Sequence, residues 1–487
     1  MPCPFYVFIF MLVKNKDKCN LFFERSGFVR DWISRWGISQ KIVASFIVLI
    51  IIGTFLLSLP VSQHLGSQST YFDHFFHAAS LVTVTGLVDT PIAHTYSFFG
   101  QVICLILMQI GGLGIMTIVA SVVTAFGRKM SLSERLAVQE GLNREDATDF
   151  RSFLITILKY VFVIEAVGFF ILSFRFVADF GWAEGLFTAL FLSISGFTNA
   201  GFDTLGSNSL VSYVHDPLVN LVISILIILG GIGFHVWFDF ALVSRNWFKR
   251  KGKKRIRYFY RKLSLHSRLA IMVSLILTVV GTLMFLVVEY RNLHTIGNFS
   301  FGEKLLASFF QTVTMRTAGL TTVDFTQVYP FTLFWFVISM FIGGSPGSTA
   351  GGVKTTTIAM IVILVYNVFR GQKNVNIWNH TIPETTVRNA FVIFSVFFSA
   401  FLLGTGVLSL LNPDVDFIIL MFEAVSAITT VGISAHLTPT LGIASKITLI
   451  ILMFAGRIGP ITMAESLARK DKETKNITYA AGKIIIG

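Results

Sequence analysis

Charged residues are scarce in this chain of 487 residues. Asp, Glu, Lys and Arg together make up only 13% of the sequence, whereas hydrophobic residues make up 54%. A soluble domain carries about 25% charged residues, and one soluble core cannot bury this much apolar surface. The composition therefore excludes an ordinary soluble domain and predicts an all-α polytopic membrane protein.

Cysteine is also rare, with only Cys3, Cys19 and Cys104 in the chain. Their positions show none of the spacings that are typical of a metal site. Cys104 lies in an apolar stretch, where a small packing residue is the ordinary interpretation. We therefore expect no cysteine-ligated metal and no covalent cofactor.

Eight apolar stretches are predicted to be transmembrane helices, two in each quarter of the chain. They cover residues 42–59, 98–126, 153–174, 218–243, 269–288, 331–369, 390–411 and 443–464. Within each pair, the two spans are separated by a semi-apolar segment of about 10 to 15 residues, which is too short to cross a bilayer. A re-entrant helix followed by a loop fits such a segment.

The positive charges predict the orientation of these spans. Residues 60–97, 176–220 and 412–445 contain no Lys or Arg, whereas the alternate connections at 128–151, 245–268 and 370–388 are basic. By the positive-inside rule, both termini and the basic connections are cytoplasmic in the plasma membrane, and the re-entrant loops enter from outside. The net charge of +13 is then loop charge that sets topology and contacts lipid headgroups, not a nucleic-acid surface.

A short Thr/Ser-rich run that ends in glycine occurs four times. The glycines are Gly86, Gly201, Gly319 and Gly432, spaced 115, 118 and 113 residues apart, and each follows a phenylalanine by ten residues. A near-constant period indicates an internal repeat. We predict four parallel repeats at 41–128, 129–250, 251–370 and 371–466, with a cytoplasmic or interfacial segment at 1–40 and a cytoplasmic tail at 467–487.

Four span–re-entrant loop–span repeats that face the same way predict one pseudo-fourfold pore. Non-helical backbone at membrane depth is tolerated where it is buried or lines a water-filled path, and backbone carbonyls can replace the hydration shell of a monovalent cation. The predicted ion-binding residues are Thr85, Gly86, Ala200, Gly201, Ala318, Gly319, Val431 and Gly432. The predicted supporting residues, three positions before each glycine, are Thr83, Thr198, Arg316 and Thr429.

The second spans contain glycine runs, and the third is interrupted over 343–357. We predict a gating loop across the pore, formed by Gly343, Gly344, Gly347, Ser348, Thr349, Gly351, Gly352 and Lys354 and faced by Arg457. The alternative for Arg457 is an ion pair with Glu423 or Glu165. For the runs 111–114 and 230–233, close helix packing through small residues is the ordinary interpretation. The third run is not a phosphate-binding loop, because Val353 separates Gly352 from Lys354 and no strand precedes it.

The motifs T-V-T-G-L, T-N-A-G-F, R-T-A-G-L and T-V-G-I, with G-S-T-A-G-G-V-K-T and F-A-G-R-I-G-P, resemble those of the Trk/Ktr/HKT superfamily of potassium transporters. The eight spans look most similar to the membrane subunit of bacterial Ktr systems. The resemblance implies that the four loops bind K⁺. For Na⁺ two roles stay open, activation and cotransport. It also implies a homodimer above a cytoplasmic ring of separate, nucleotide-binding regulatory subunits.

Two other functions remain as alternatives to a channel-like potassium uptake subunit. A secondary cation symporter with alternating access would use discontinuous helices in matching positions. A membrane-embedded enzyme would need catalytic groups at helix depth, for which His235 and Asp239 are the best candidate pair. The sequence favours the channel-like potassium uptake subunit, because the chain has four parallel repeats and only one strongly broken span.

Overall fold

The computed structural model describes residues 37–64, 66–114, 150–206, 209–249, 256–372 and 374–459, together with residue 462. The predicted N-terminal surface segment up to residue 36, most of the basic connection 128–151 and the C-terminal tail 467–487 lie outside these residues. So does the last part of the predicted span 443–464.

The described part of the first repeat contains three long helices, α1 (Ile38–Leu57), α2 (Tyr71–Thr83) and α3 (Phe98–Leu113), and a single helical turn at Ile92–Thr95. Thr70 starts α2, because its hydroxyl accepts from the Asp73 N–H (3.3 Å) while the Asp73 carboxylate accepts from the Thr70 N–H (2.8 Å). This reciprocal cap satisfies donors that the first helical turn leaves unpaired. With 13 residues, α2 is about 20 Å long, well short of a bilayer core of about 30 Å.

The second repeat follows the same order with fewer loops. Helix α4 (Phe150–Thr198) passes through a break at Gly181, where φ is 77°, and then continues as the re-entrant helix. The second span is divided into α5 (Pro217–Gly231) and α6 (Phe234–Lys249), and α7 (Ile256–Lys262) leads to the third repeat.

The third and fourth repeats complete the set. The third contains α8 (Leu265–Glu289), α9 (Phe301–Thr314), α10 (Pro330–Phe341) and α11 (Thr355–Phe369). A two-stranded antiparallel hairpin, β1 (Asn376–Ile377) and β2 (His380–Thr381), connects it to α12 (Glu384–Leu411), α13 (Phe417–Ile428) and α14 (Ile443–Ile458). The all-α fold class is thereby confirmed, apart from this short hairpin.

Within the described residues, four helices are long and apolar enough to cross a membrane, and α5 with α6 would make a fifth if that bent pair is one span. Helices α3, α10, α11 and α13 are apolar but shorter. Eight spans therefore stay a prediction.

The prediction that the chain has only one strongly broken span is wrong. The expected continuous span 218–243 ends as α5 at Gly231, and α6 leaves at an angle of 94°. Gly233 allows this bend because its φ of 101° is open to a residue without a Cβ. In the third repeat α10 ends at Phe341 and α11 begins at Thr355, so the expected interruption at 343–357 begins between these two helices.

The repeats pack around a ring in chain order. The second span of each repeat contacts the re-entrant helix of the next: α3 lies on α4, α5 on α9, α10 on α13, and α14 on α2. One continuous apolar core links them, and it includes the fully buried Phe76, Phe191 and Phe422. The last contact joins the fourth repeat to the first and closes the ring.

Glycines allow the second spans to approach the re-entrant helices closely. A Cβ on Gly111, Gly230 or Gly456 would lie 2.3, 1.9 or 1.8 Å from the carbonyl oxygen of Val82, Phe197 or Ile428, respectively. Close packing is therefore what the structure shows for the first two glycine runs, as the sequence indicated, and the fourth shares it.

Replacing Gly456 by alanine should destabilise the protein, because the new methyl group overlaps the Ile428 carbonyl. Overpacking of this kind costs about 1–3 kcal/mol. Gly406 on α12 is the matched control, since a Cβ there meets no atom within 4 Å. Thermal unfolding in detergent should show a lower midpoint temperature for Gly456→Ala than for the unmodified protein and an unchanged one for Gly406→Ala. Equal midpoint temperatures for the two variants would contradict the packing.

Candidate functional site: a ring of four glycine loops

All four Thr/Ser-rich runs form the same local backbone at the end of a re-entrant helix. The glycines Gly86, Gly201, Gly319 and Gly432 have φ values of 98°, 75°, 81° and 87°. Two positions earlier, Val84, Asn199, Thr317 and Thr430 also have positive φ, between 53° and 72°. Positive φ at a β-branched residue costs free energy and persists only where the surroundings impose it. These four residues are not among the predicted site residues, and only Asn199 is of a residue type that favours the conformation.

The four glycines meet in one closed ring. The site that a Cβ would occupy on each glycine lies against the carbonyl oxygen that precedes the glycine of the next repeat. The pairs are Gly86 with Ala200 (2.7 Å), Gly201 with Ala318 (2.8 Å), Gly319 with Val431 (2.7 Å) and Gly432 with Thr85 (1.9 Å). The structure therefore brings all eight predicted ion-binding residues together, and no side chain fits at the glycine positions.

Each loop is closed by a hydrogen bond to its own helix. In three repeats the residue before the glycine donates its N–H to a serine carbonyl five positions earlier: Thr85 to Ser80, Ala200 to Ser195 and Val431 to Ser426, each at 2.9 Å. In the third repeat Ala318 donates to Thr314, only four positions earlier, also at 2.9 Å. We call Ser80, Ser195, Thr314 and Ser426 the loop-closing residues.

The predicted supporting residues act in two different ways. The hydroxyls of Thr83, Thr198 and Thr429 donate to carbonyls four residues earlier in the preceding helix, at 2.7, 2.7 and 2.6 Å. The Thr83 hydroxyl also lies 2.8 Å from the Thr85 hydroxyl in the loop. Arg316 instead reaches the neighbouring helix α8, where Nη2 donates to the Ser274 hydroxyl (2.9 Å). Its guanidinium thus connects the third loop to the helix behind it.

The four loop glycines also line a cavity of about 390 Å³. Asp89, Asp203 and Asp324 line the same cavity. Burial alone would raise the pKa of Asp89, but His77 (Nε2–Oδ1 2.6 Å) and then Lys446 (Nζ–Oδ2 3.1 Å) hold it well below its ordinary value. Asp89 is therefore ionised and already paired with a cation of the fourth repeat.

The interrupted segment of the third span is fastened to the bend of the second. Ser345 and Thr349 donate their N–H groups to the carbonyls of Gly231 (2.9 Å) and Gly230 (3.3 Å). In return, Phe234, the first residue of α6, donates to the Gly347 carbonyl (2.7 Å). The two breaks thus satisfy each other's unpaired backbone groups.

The same segment lies directly against the ring of glycine loops. A Cβ on Gly351 would lie 2.1 Å from the Thr430 hydroxyl oxygen, and the Thr349 hydroxyl donates to the Phe197 carbonyl (3.2 Å). The Lys354 ammonium donates to the Ala350 carbonyl (2.7 Å). Four more predicted gating residues contribute to the shape of the segment. Gly343 donates its N–H to the Val353 carbonyl, and the Gly344 carbonyl accepts from the Thr355 N–H. The Ser348 hydroxyl donates to the Ser345 carbonyl, and Gly352 has a φ of 68°.

Arg457 connects three repeats. From α14 its guanidinium donates to the carbonyl oxygens of Thr349 and of Gly111 (2.5 Å) and Gly112 (3.0 Å). No ion pair of Arg457 occurs among the described residues. The alternative partners are engaged elsewhere: Glu165 accepts from Gln109 (2.9 Å), and Glu423 accepts from Thr438.

The candidate catalytic pair does not form an active site. His235 and Asp239 lie on α6, where the Asp239 carboxylate accepts the Ser264 N–H (2.8 Å) and the His235 ring lies against His266. A carboxylate that caps the next helix in this way has a structural use.

Comparison with known proteins agrees with this geometry. The family of TrkH cation transport proteins matches residues 37–476. The chain belongs to this TrkH family of cation transport proteins. The resemblance found from the sequence motifs is confirmed, and so is the interpretation as a transport protein and not an enzyme.

Relatives of this TrkH-family chain match over almost their full length. The chain is 38% identical to the Ktr system potassium uptake protein B of Bacillus subtilis, over 94% of this chain and 98% of that protein. It is 36% identical to the potassium/sodium uptake protein NtpJ of Enterococcus hirae, over 92% and 97%. The crystal structure of the potassium transporter TrkH from Vibrio parahaemolyticus has the same fold, with a TM-score of 0.67 at 19% identity, over 88% and 84% of the two chains.

Proposed function

We propose that this protein is a channel-like potassium uptake subunit, in which the four glycine loops form the selectivity filter. The observation that carries the proposal is the closed ring, in which a Cβ on any of the four glycines would overlap a backbone carbonyl of the next repeat. The named activities of the relatives, potassium uptake and potassium/sodium uptake, support K⁺ as the transported ion. Na⁺ acts as an activator in this proposal.

Two electrostatic contributions favour a cation at the ring. Backbone carbonyls turned toward an axis replace the water that K⁺ loses on entry. In addition, α2, α4, α9 and α13 all end within five residues of their filter glycine, so four helix C-termini, each equivalent to about half a negative charge, surround the same site. Both contributions come from the backbone and therefore require no acidic side chain on the axis.

The membrane potential is sufficient to drive uptake through such a path. One elementary charge gains about 2.3 kcal/mol when it moves through 100 mV. Since a tenfold concentration ratio corresponds to about 1.4 kcal/mol, an inside-negative membrane can accumulate K⁺ roughly 40-fold. A gated pore can therefore work as an uptake system without a pump.

The gate in this proposal is the segment 343–354 together with Arg457. The segment bonds to the second-repeat bend and lies against the fourth filter loop, and Arg457 holds it to the first repeat. A positive guanidinium at this position also opposes the passage of a cation. Regulation would come from a cytoplasmic ring of nucleotide-binding subunits beneath a homodimer, with both termini on the cytoplasmic side.

The substitution Gly319→Asp tests the filter. Its side chain would collide with the Val431 carbonyl (2.7 Å from the Cβ position), so we expect complete loss of growth rescue in a potassium-uptake-deficient bacterium on limiting K⁺. Gly302→Asp is the matched control in the same repeat, because a Cβ there meets nothing within 4 Å and an acid in the first turn of a helix is favourable.

The assay includes co-expression with the regulatory subunit from the same genome. Rescue by the unmodified protein and by Gly302→Asp, with none by Gly319→Asp at equal membrane levels, is the expected result. Equal rescue by all three would refute a potassium path through the third loop.

Replacing Arg457 by glutamine tests the gate. The neutral amide cannot make three carbonyl contacts, so the segment 343–354 is released and the positive charge disappears from the path. We expect the maximal rate of ⁸⁶Rb⁺ uptake to rise several-fold while the preference for K⁺ over Na⁺ is kept. Arg457→Lys, which keeps the charge with fewer contacts, should lie between the two; an unchanged rate in both would assign Arg457 a purely structural role.

A secondary cation symporter is the second candidate, and the 94° bend in the second repeat favours it because it adds another discontinuous helix. It predicts that Na⁺ enters with K⁺ in a fixed ratio. A simultaneous measurement of ²²Na⁺ and ⁸⁶Rb⁺ uptake separates the two candidates, since activation without cotransport gives no such ratio.

A further inference from the structure

One helical position behind the filter is occupied by a different residue in every repeat. Counted back from the loop-closing residues Ser80, Ser195, Thr314 and Ser426, the residue three positions earlier is His77, Leu192, Gln311 and Glu423, in chain order. All four side chains have a relative exposure of 0%. We call this position the tie position.

In repeats 1 and 4 the residue at the tie position contacts the segment that follows the filter. Nε2 of His77 lies 2.6 Å from a carboxylate oxygen of Asp89, three residues after Gly86. The Glu423 carboxylate accepts a short hydrogen bond from the Thr438 hydroxyl, six residues after Gly432. Both contacts span the filter loop from behind.

In repeat 3 an amide makes the same connection. The Gln311 side chain lies against Thr322, three residues after Gly319. With its amide oxygen facing the backbone, Gln311 accepts from the N–H groups of Thr322 (3.0 Å) and Val323 (3.1 Å). An imidazole, an amide and a carboxylate thus each connect the re-entrant helix to the segment after the filter, at equivalent positions of three repeats.

The second repeat lacks a polar residue at the tie position. Leu192 packs in the apolar core there, and the nearest substitute is a longer contact between the hydroxyls of Thr188 and Thr204 (3.3 Å). Repeat 2 therefore shows how an apolar residue is accommodated at the tie position.

We propose that His77, Gln311 and Glu423 are positioning residues that hold the filter carbonyls at the spacing that distinguishes K⁺ from Na⁺. This inference rests on the proposed function. Each loop leaves its helix at the loop-closing bond, and the hydroxyl of the loop-closing residue also holds the backbone at or just after the filter glycine. The tie fastens the segment beyond this point, so the carbonyls of the loop are held from both sides against inward movement around a smaller ion.

The ties have their effect because the side chains that make them are fully buried. A buried polar group without a hydrogen-bond partner costs free energy. If the segment after the filter moved away from its tie, it would leave such an unpaired polar group behind. An apolar replacement removes this restraint and leaves the ring itself in place. Such a replacement should therefore change the preference for K⁺ over Na⁺ more than it lowers the amount of folded protein.

The substitution Glu423→Leu makes the fourth repeat like the second and tests the inference. Competition of K⁺ and of Na⁺ against ⁸⁶Rb⁺ uptake in potassium-depleted cells gives a K⁺/Na⁺ preference for each variant. We expect about a fivefold or larger loss of preference, which is the factor for about 1 kcal/mol, the usual net value of one hydrogen bond.

Two variants provide the controls. Glu423→Gln keeps an acceptor oxygen for Thr438 and should restore most of the preference, which general damage to the core would not allow. Leu192→Met changes the same position of repeat 2 at nearly constant volume and should leave the preference unchanged. If Glu423→Leu does not reach the membrane, Gln311→Met supplies the same comparison in the third repeat.

The outcomes separate this inference from the proposed function. An unmodified protein without any preference for K⁺ over Na⁺ would refute the filter and the ties with it. A selective unmodified protein with equal preference in Glu423→Leu, or in Gln311→Met, would refute the ties alone. Loss of preference that Glu423→Gln restores would support them.

Discussion

Backbone groups at membrane depth must find partners inside the protein, and most of this structure follows from that constraint. Four chain segments leave helical geometry inside the predicted bilayer region, and two spans are broken there. Helices satisfy their own backbone groups, whereas these segments depend on each other. The bend after Gly231 and the segment 343–354 exchange hydrogen bonds, and Arg457 takes up three further carbonyls. The carbonyl oxygens of the glycine loops can instead be coordinated by a cation.

The fourfold repeat is therefore a backbone symmetry with unequal side chains. The loop glycines and the left-handed residues two positions before them recur in all four repeats. The side chains beside the loops differ: the threonine hydroxyls bond carbonyls of the preceding helix, whereas Arg316 crosses to Ser274 in α8. A single chain can vary these supports independently, which four identical subunits could not do.

The sequence was sufficient to predict which four glycines meet in the ring, because glycine is required wherever a carbonyl of the next repeat approaches within the volume of a Cβ. It also indicated the interruption between α10 and α11. It did not predict the bend at Gly233, since the run 230–233 reads equally well as a packing motif, and Gly230 does pack closely on Phe197. Contacts between distant residues, such as Arg457 with Gly111 and Gly112, depend on how the repeats close into a ring and leave no local signal.

The most direct test of the filter is a structure determined in the presence of Tl⁺, which substitutes for K⁺ and scatters anomalously. The account predicts anomalous density on the axis of the ring, within coordination distance of the carbonyl oxygens of Thr85, Ala200, Ala318 and Val431. Anomalous density confined to the broken spans around Gly233 and 343–354, with none at the glycine ring, would contradict it.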